Sequence, residues 1–183
     1  RLVDVDIDEL GHGYYRMPIS RTAGFHMYLP DLPMFMSFES LPDYENYIRR
    51  LLGIQAYFFG NIELMRLGLR TGYLPPLATL EGIEEGVLPH IVEDLSQSAY
   101  FSPFKDFPAS ISTADRERLA RSAREAILTS VIPAYRLLLK FIQDEYRPAA
   151  RPGIAASELP KGRQFYQSRI RYFTSLDLTP EQV

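Results

Sequence analysis

The chain has 183 residues, 46% of them hydrophobic and 23% charged, with a formal net charge of −3 and no cysteine. That balance is globular, and its slight acidity gives no global field to draw nucleic acid or anionic lipid. The lack of thiols excludes disulfides, cysteine nucleophiles and Cys-held zinc or iron–sulfur centres. No apolar run reaches the ~18 residues that a membrane-spanning helix needs. Lys105, Lys140 and Lys161 are the only lysines, so the basic charge is almost wholly Arg, which suits bidentate carboxylate pairs at helix surfaces.

Residues 1–40 read as an irregular N-terminal arm. Val3-Asp4-Val5-Asp6-Ile7-Asp8 alternates apolar and acidic residues, which predicts a short edge strand or an extended segment. The opening Arg1-Leu2-Val3-Asp4 has neither an initiator Met nor a signal peptide, so the natural start is expected upstream. Gly11, Gly13, Pro18, Gly24, Pro30 and Pro33 then rule out a long element. Phe25, Met27, Met34, Phe35 and Phe38 must nevertheless pack on something, either the helices that follow or further chain.

A long helix follows. Ser40 suits the N-cap, Pro42 the first turn, and Asp43 and Glu45 the positive end of the dipole. Tyr44, Ile48, Leu51, Phe58, Ile62, Met65 and Leu69 recur at steps of three and four, and Gly72 marks the stop. Gly53, Gly60 and Gly68 would let a neighbour approach closely, at ~1 kcal/mol each against Ala. Pro75-Pro76 predicts a second helix over 76–98, kinked at Pro89, then a connector to Ser110. A third helix is expected from Thr113 as N-cap to about Tyr146. Its inner face is Leu119, Ala123, Ile127, Val131, Ala134, Leu138 and Phe141, and Pro133 should kink it. A fourth helix follows Pro160, over about 161–173. Thr179-Pro180-Glu181-Gln182 then starts another helix, so the chain is expected to have continued. The fold class is all-α, an array of long, kinked antiparallel helices. Residues 41–183 form a helical lobe that is an incomplete part of a larger domain.

Chemistry-bearing motifs are sparse. A thermolysin-type zinc site needs two His one turn apart, yet His12, His26 and His90 are scattered. His90 and Glu93 share a helical spacing, but Glu and His are reversed from the di-iron order and no second copy exists, so a surface or hydrogen-bonded His is expected. Ser102-Pro103-Phe104-Lys105 spells Ser-x-x-Lys without the companion Lys-Thr-Gly strand, and reads as a turn. Gly11-His12-Gly13-Tyr14-Tyr15 lacks a nucleophile elbow and reads as a glycine turn. Asp115-Arg116-Glu117-Arg118 is a solvated, ion-paired face. No catalytic and no metal-binding residue is assigned. The segment from Gln164 to Thr174 differs: it crowds aromatic and guanidinium groups onto one short helix. Tyr166, Arg169 and Phe173 share a face, where an Arg among rings can bind a carboxylate; packing by its own aromatics is the competing reading.

Here the sequence resembles a known bacterial family, domain of unknown function 885. The resemblance rests on Glu158-Leu159-Pro160-x-Gly162-x-x-Phe165-Tyr166 and on Thr174-x-x-Asp177-Leu178-Thr179-Pro180-Glu181. Phe165 stands where that family usually has Tyr. Met65-Arg66-x-Gly68-x-x-x-Gly72-x-x-Pro75-Pro76 and Ser102-Pro103-x-x-x-x-Phe107 agree in layout. Members are similar to mostly helical zinc peptidases of the gluzincin kind, with a His-Glu helix C-terminal to this point. The resemblance therefore implies a non-catalytic helical lobe of a zinc-dependent, carboxypeptidase-like hydrolase, the zinc lying in further chain. Tyr166, Arg169 and Arg171 would then line the substrate cleft. The expected partners are the rest of a parent chain, a peptide substrate and a second copy of the chain. Bacterial relatives lean toward an envelope or periplasmic location. The alternatives are a helical scaffold whose apolar arm docks another chain, and a stand-alone module that binds a small carboxylate at Tyr166 and Arg169.

Overall fold

A computed structural model describes residues 11–183; the strand expected over Val3–Asp8 lies outside them. Helix α1 spans Leu41–Arg70. Its start is held by Asp43, whose carboxylate accepts from the Ser40 amide at 2.9 Å, the Ser40 hydroxyl at 2.7 Å and the Glu39 amide at 3.1 Å. Its end is Thr71 followed by Gly72 at φ 81°, with the Tyr73 amide returning to the Gly68 carbonyl at 2.9 Å. The expected stripe is buried from Tyr44 to Met65, and Leu69 is half-buried against it.

The second rod starts one residue earlier than expected. Ser112, not Thr113, caps it: its hydroxyl accepts from the Asp115 amide at 3.2 Å. Helix α2 spans Thr113–Ala126, a wide π turn takes Ile127–Val131, α3 spans Ile132–Phe141, and a second π turn takes Ile142–Tyr146. Pro133 sits in the first turn of α3, and the wide turn before it absorbs the missing amide donor and the ring's bulk. All seven residues of the expected inner face are buried.

The all-α array is the expected one, but the sense of its main pairing is not. Glu45 meets Arg118, the Leu52 and Gln55 backbone meets Ser130, and Arg66 meets Glu145. Residue numbers rise together along both rods, so α1 and α2–α3 run parallel rather than antiparallel. Parallel neighbours need a long return path, and residues 71–112 supply it.

That return path is not the helix expected over 76–98. It is a string of 3₁₀ turns at Leu77–Thr79, Ile83–Gly86, Leu88–His90, Leu95–Gln97 and Ala99–Phe104. Pro76 precedes the first turn, Gly82 enters the left-handed region, and Asp94 accepts from the Ser96 amide at 2.9 Å, so the local signals break the chain before a second α turn forms. Leu80, Ile83, Val87, Tyr100, Phe101 and Phe104 from this path join the core. The N-terminal segment also winds into short turns, Tyr14–Arg16, Phe25–Tyr28 and Leu29–Phe35, with Phe25 edge-on to Phe58 at 4.9 Å.

Among the described residues no strand forms; an isolated parallel bridge joins Pro76 to Arg151. Beyond it, α4 spans Gly162–Thr174, and a one-turn helix, Pro180–Gln182, carries the expected Thr179–Gln182 cap, with the Thr179 amide donating to Gln182 Oε1 at 2.8 Å. Among the described residues no helix is long and apolar enough to cross a membrane.

Candidate functional site

Helix α4 stands off the main core. It packs mainly on the turn Ala156–Glu158 and on the tail turn Pro180–Gln182. Gly162 makes the first contact possible, because a Cβ there would overlap the Ala156 carbonyl. Ile170 is its buried anchor, while Tyr166, Tyr172 and Phe173 are exposed. The Arg169 guanidinium lies 4.6 Å from the Tyr172 ring centroid and 4.9 Å from that of Phe173, and the two rings meet edge-on at 5.1 Å. Tyr166 and Arg169 are three residues apart and so share a side of the helix. Arg171 follows Arg169 by two residues, about 200° around the axis, and is exposed on the other side. Helical spacing puts Tyr166 and Arg169 on one side of α4 and Arg171 on the other, and the Arg169 guanidinium lies against Tyr172 and Phe173.

What holds α4 in place is a residue that sequence reasoning passed over. Arg151 is 9% exposed, and its side chain donates to the carbonyls of Leu74 at 3.1 Å, Gly153 at 2.7 Å and Ala155 at 2.9 Å, and to Glu158 at 3.1 Å. Its backbone exchanges bonds with Pro75 and Leu77. Arg is the side chain whose fork can serve several acceptors at once. The stretch Arg147–Pro152 reads in sequence only as a helix end, and carbonyl acceptors leave no residue pattern to read.

The histidines do other work. His26 is buried, with neither ring nitrogen in a hydrogen bond, and burial first, then nearby His90, lowers its pKa to about 4. The His90 ring lies 4.5 Å from that of Tyr135, and burial lowers its pKa too. Around them runs a tyrosine chain: the Tyr47 hydroxyl donates to the Tyr100 carbonyl at 3.2 Å, and the Tyr100 and Tyr135 hydroxyls meet at 2.8 Å. Desolvation pushes all three phenols well above their ordinary range, so they act as neutral donors that tie the return path to α1 and α3. Among the described residues no three His, Asp or Glu side chains gather as a metal site. Ser102 and Lys105 lie in the Ala99–Phe104 turn region, where the Lys105 amide bonds the Ser102 carbonyl at 3.2 Å, and both are exposed.

Comparison with known proteins adds two findings. A family model described as bacterial protein of unknown function (DUF885) matches residues 2–183. The fold is similar to the crystal structure of a candidate lipoprotein from Colwellia psychrerythraea, with a TM-score of 0.78 and 21% identity over 90% of this chain. The match spans 28% of that longer chain. No curated protein matches the sequence.

Proposed function

This chain belongs to the bacterial DUF885 family, and on that premise we propose that it serves as a helical lobe of a larger envelope protein, lending one wall to a cleft that binds peptides by their carboxylates. The observation that carries the reading is the standing-off helix α4, with Arg169 laid over the exposed rings of Tyr172 and Phe173 on the side of the helix that Tyr166 shares by spacing. Exposed rings offer area to a peptide's apolar side chains, and the guanidinium held against them places positive charge where a carboxylate would sit. Arg171, on the other side of the helix, contributes charge rather than contact. We read the parent activity as that of a zinc-dependent peptidase, on the family resemblance carried by the Leu159–Tyr166 and Leu178–Glu181 motifs alone. In that reading the zinc is held by His and Glu residues outside these 183, and this lobe carries no catalytic group. The lipoprotein description of the Colwellia protein supports the envelope location.

The chain has 12 tyrosines and no tryptophan, so tyrosine emission reports binding directly. Titration with short peptides should give a saturable change with a free C-terminal carboxylate and none with the amide. Arg169→Ala should abolish it and Arg171→Ala should leave it. An equal response from amide and acid, or an unchanged response in Arg169→Ala, would sink the reading. A second reading, a scaffold docked through the N-terminal segment, is favoured by Met34 and Phe35, which are 80% and 83% exposed. Loss of partner capture in Phe35→Ser with peptide binding intact would favour it.

A further inference from the structure

Ion pairing accounts for only part of the charge on α2. Arg118 pairs with Glu45 at 2.9 Å and with Asp115 at 3.3 Å. Arg121 and Arg124 have no ion pair or hydrogen bond among the described residues, although Glu117 and Glu125 stand four residues to either side of Arg121. Like charges one turn apart cost a helix about 0.2–0.5 kcal/mol. Both guanidinium groups line a groove of about 540 Å³, together with Arg116, Glu117, Ala120 and Phe107. That volume is in the range of small-molecule sites.

The walls of this groove are fixed in advance. Arg116 donates to the Ile111 carbonyl at 2.8 Å and to the Pro108 carbonyl at 2.9 Å. The Arg124 guanidinium lies 4.7 Å from the ring centroid of buried Phe101, an anchor that uses none of its N–H donors. Phe107, from the connector before α2, is half-buried and stacks on Tyr44 at 4.8 Å. Groups already ordered lose less side-chain entropy when a ligand arrives. Arg116, Ala120 and Arg124 form one row at steps of four, so Ala120 lies midway between two Arg positions about 12 Å apart. Its small side chain leaves the floor open, and the Phe107 ring makes one wall apolar. Three Arg outweigh Glu117, which selects an anion, while the Glu117 carboxylate penalises a second negative charge. We propose that this groove binds a small aromatic carboxylate, its acid group between Arg121 and Arg124 and its ring against Phe107 over Ala120.

Amide chemical-shift mapping on this chain tests it, with benzoate, benzyl alcohol and inorganic phosphate as probes. Benzoate should give saturable shifts at Phe107 and from Arg116 to Arg124. Benzyl alcohol keeps the ring without the charge, and phosphate the charge without the ring; each should bind at least fivefold more weakly. Arg121→Ala and Arg124→Ala should each raise the benzoate Kd at least fivefold. Ala120→Leu, which fills the floor while favouring helix, should abolish binding with all three Arg in place. The spectrum of each variant also reports whether it folds. Arg169→Ala, which tests the α4 reading, should leave the benzoate shifts unchanged, so the two readings can fail separately. Absence of saturable shifts overturns the proposal. Equal binding of phosphate and benzoate also overturns it, because the groove would then be a simple anion patch. So does a benzoate response that survives Ala120→Leu or lies only in α4.

Discussion

The Tyr135 hydroxyl donates to the His26 carbonyl across 2.7 Å, joining a one-turn helix near the N-terminus to α3, 109 residues later in the chain. The same hydroxyl accepts from Tyr100, so one oxygen joins three segments. Tyr135→Phe removes the donor to one buried carbonyl and the acceptor of one buried hydroxyl. The expected loss is about 2 kcal/mol, read as a lower urea midpoint at constant slope. An unchanged midpoint would mean that water replaces both bonds.

His26 makes stability depend on pH. Its pKa is about 4 in the fold and 6.5 when unperturbed, so between those values the unfolded chain holds a proton that the folded chain does not. Stability is therefore complete above pH ~6.5 and falls as pH drops toward 4, by on the order of 3 kcal/mol. His90, lowered in the same direction, adds to the fall. The lowered carboxylates of Glu84 and Glu145 act in a more acidic window, beginning near 4.5, which keeps the two effects separable. Urea midpoints between pH 7.5 and 4.5 measure it, and His26→Leu should flatten the curve above pH 5.

Arg151→Ala should detach α4 more than it unfolds the molecule. The Leu74, Gly153 and Ala155 carbonyls lose their donor, costing about 2–3 kcal/mol, while Glu158 is solvated enough to tolerate the loss. Hydrogen exchange should show lost protection over 153–174 and retained protection in α1. Equal loss in both would place Arg151 in the global core instead.

The cross-rod pair of Arg66 with Glu145, two-pronged at 2.8 and 2.5 Å, is 30% and 41% exposed. A double-mutant cycle should give a coupling near 0.5–1 kcal/mol that fades in 1 M salt. The i,i+4 pair of Lys140 with Asp144 is more exposed and should give less.

Much of this architecture is legible in the residues. Ser40, Pro42, Asp43 and Gly72 bound α1 because caps and stops are local chemistry, and the inner face of α2–α3 follows from spacing alone. The return path is misread as helix because Pro75-Pro76 suits a helix start and Pro89 alone is taken as a kink. Gly82, Gly86 and Pro89 interrupt it often enough that only single turns survive. That misreading also hides the parallel sense of the rods, since a helix over 76–98 implies up-and-down neighbours. That Tyr166 and Arg169 share a side of α4 is legible from a three-residue step. Arg171 entered through the family motif, which carries no angle, and Arg151 is silent because its partners are main-chain oxygens.

The most direct test of the central reading is amide chemical-shift mapping of this chain with a short peptide bearing a free C-terminal carboxylate. Perturbations should concentrate between Gly162 and Thr174 and vanish in Arg169→Ala. Shifts confined to α1 or to the Leu29–Phe35 turn, with α4 unmoved, would contradict it.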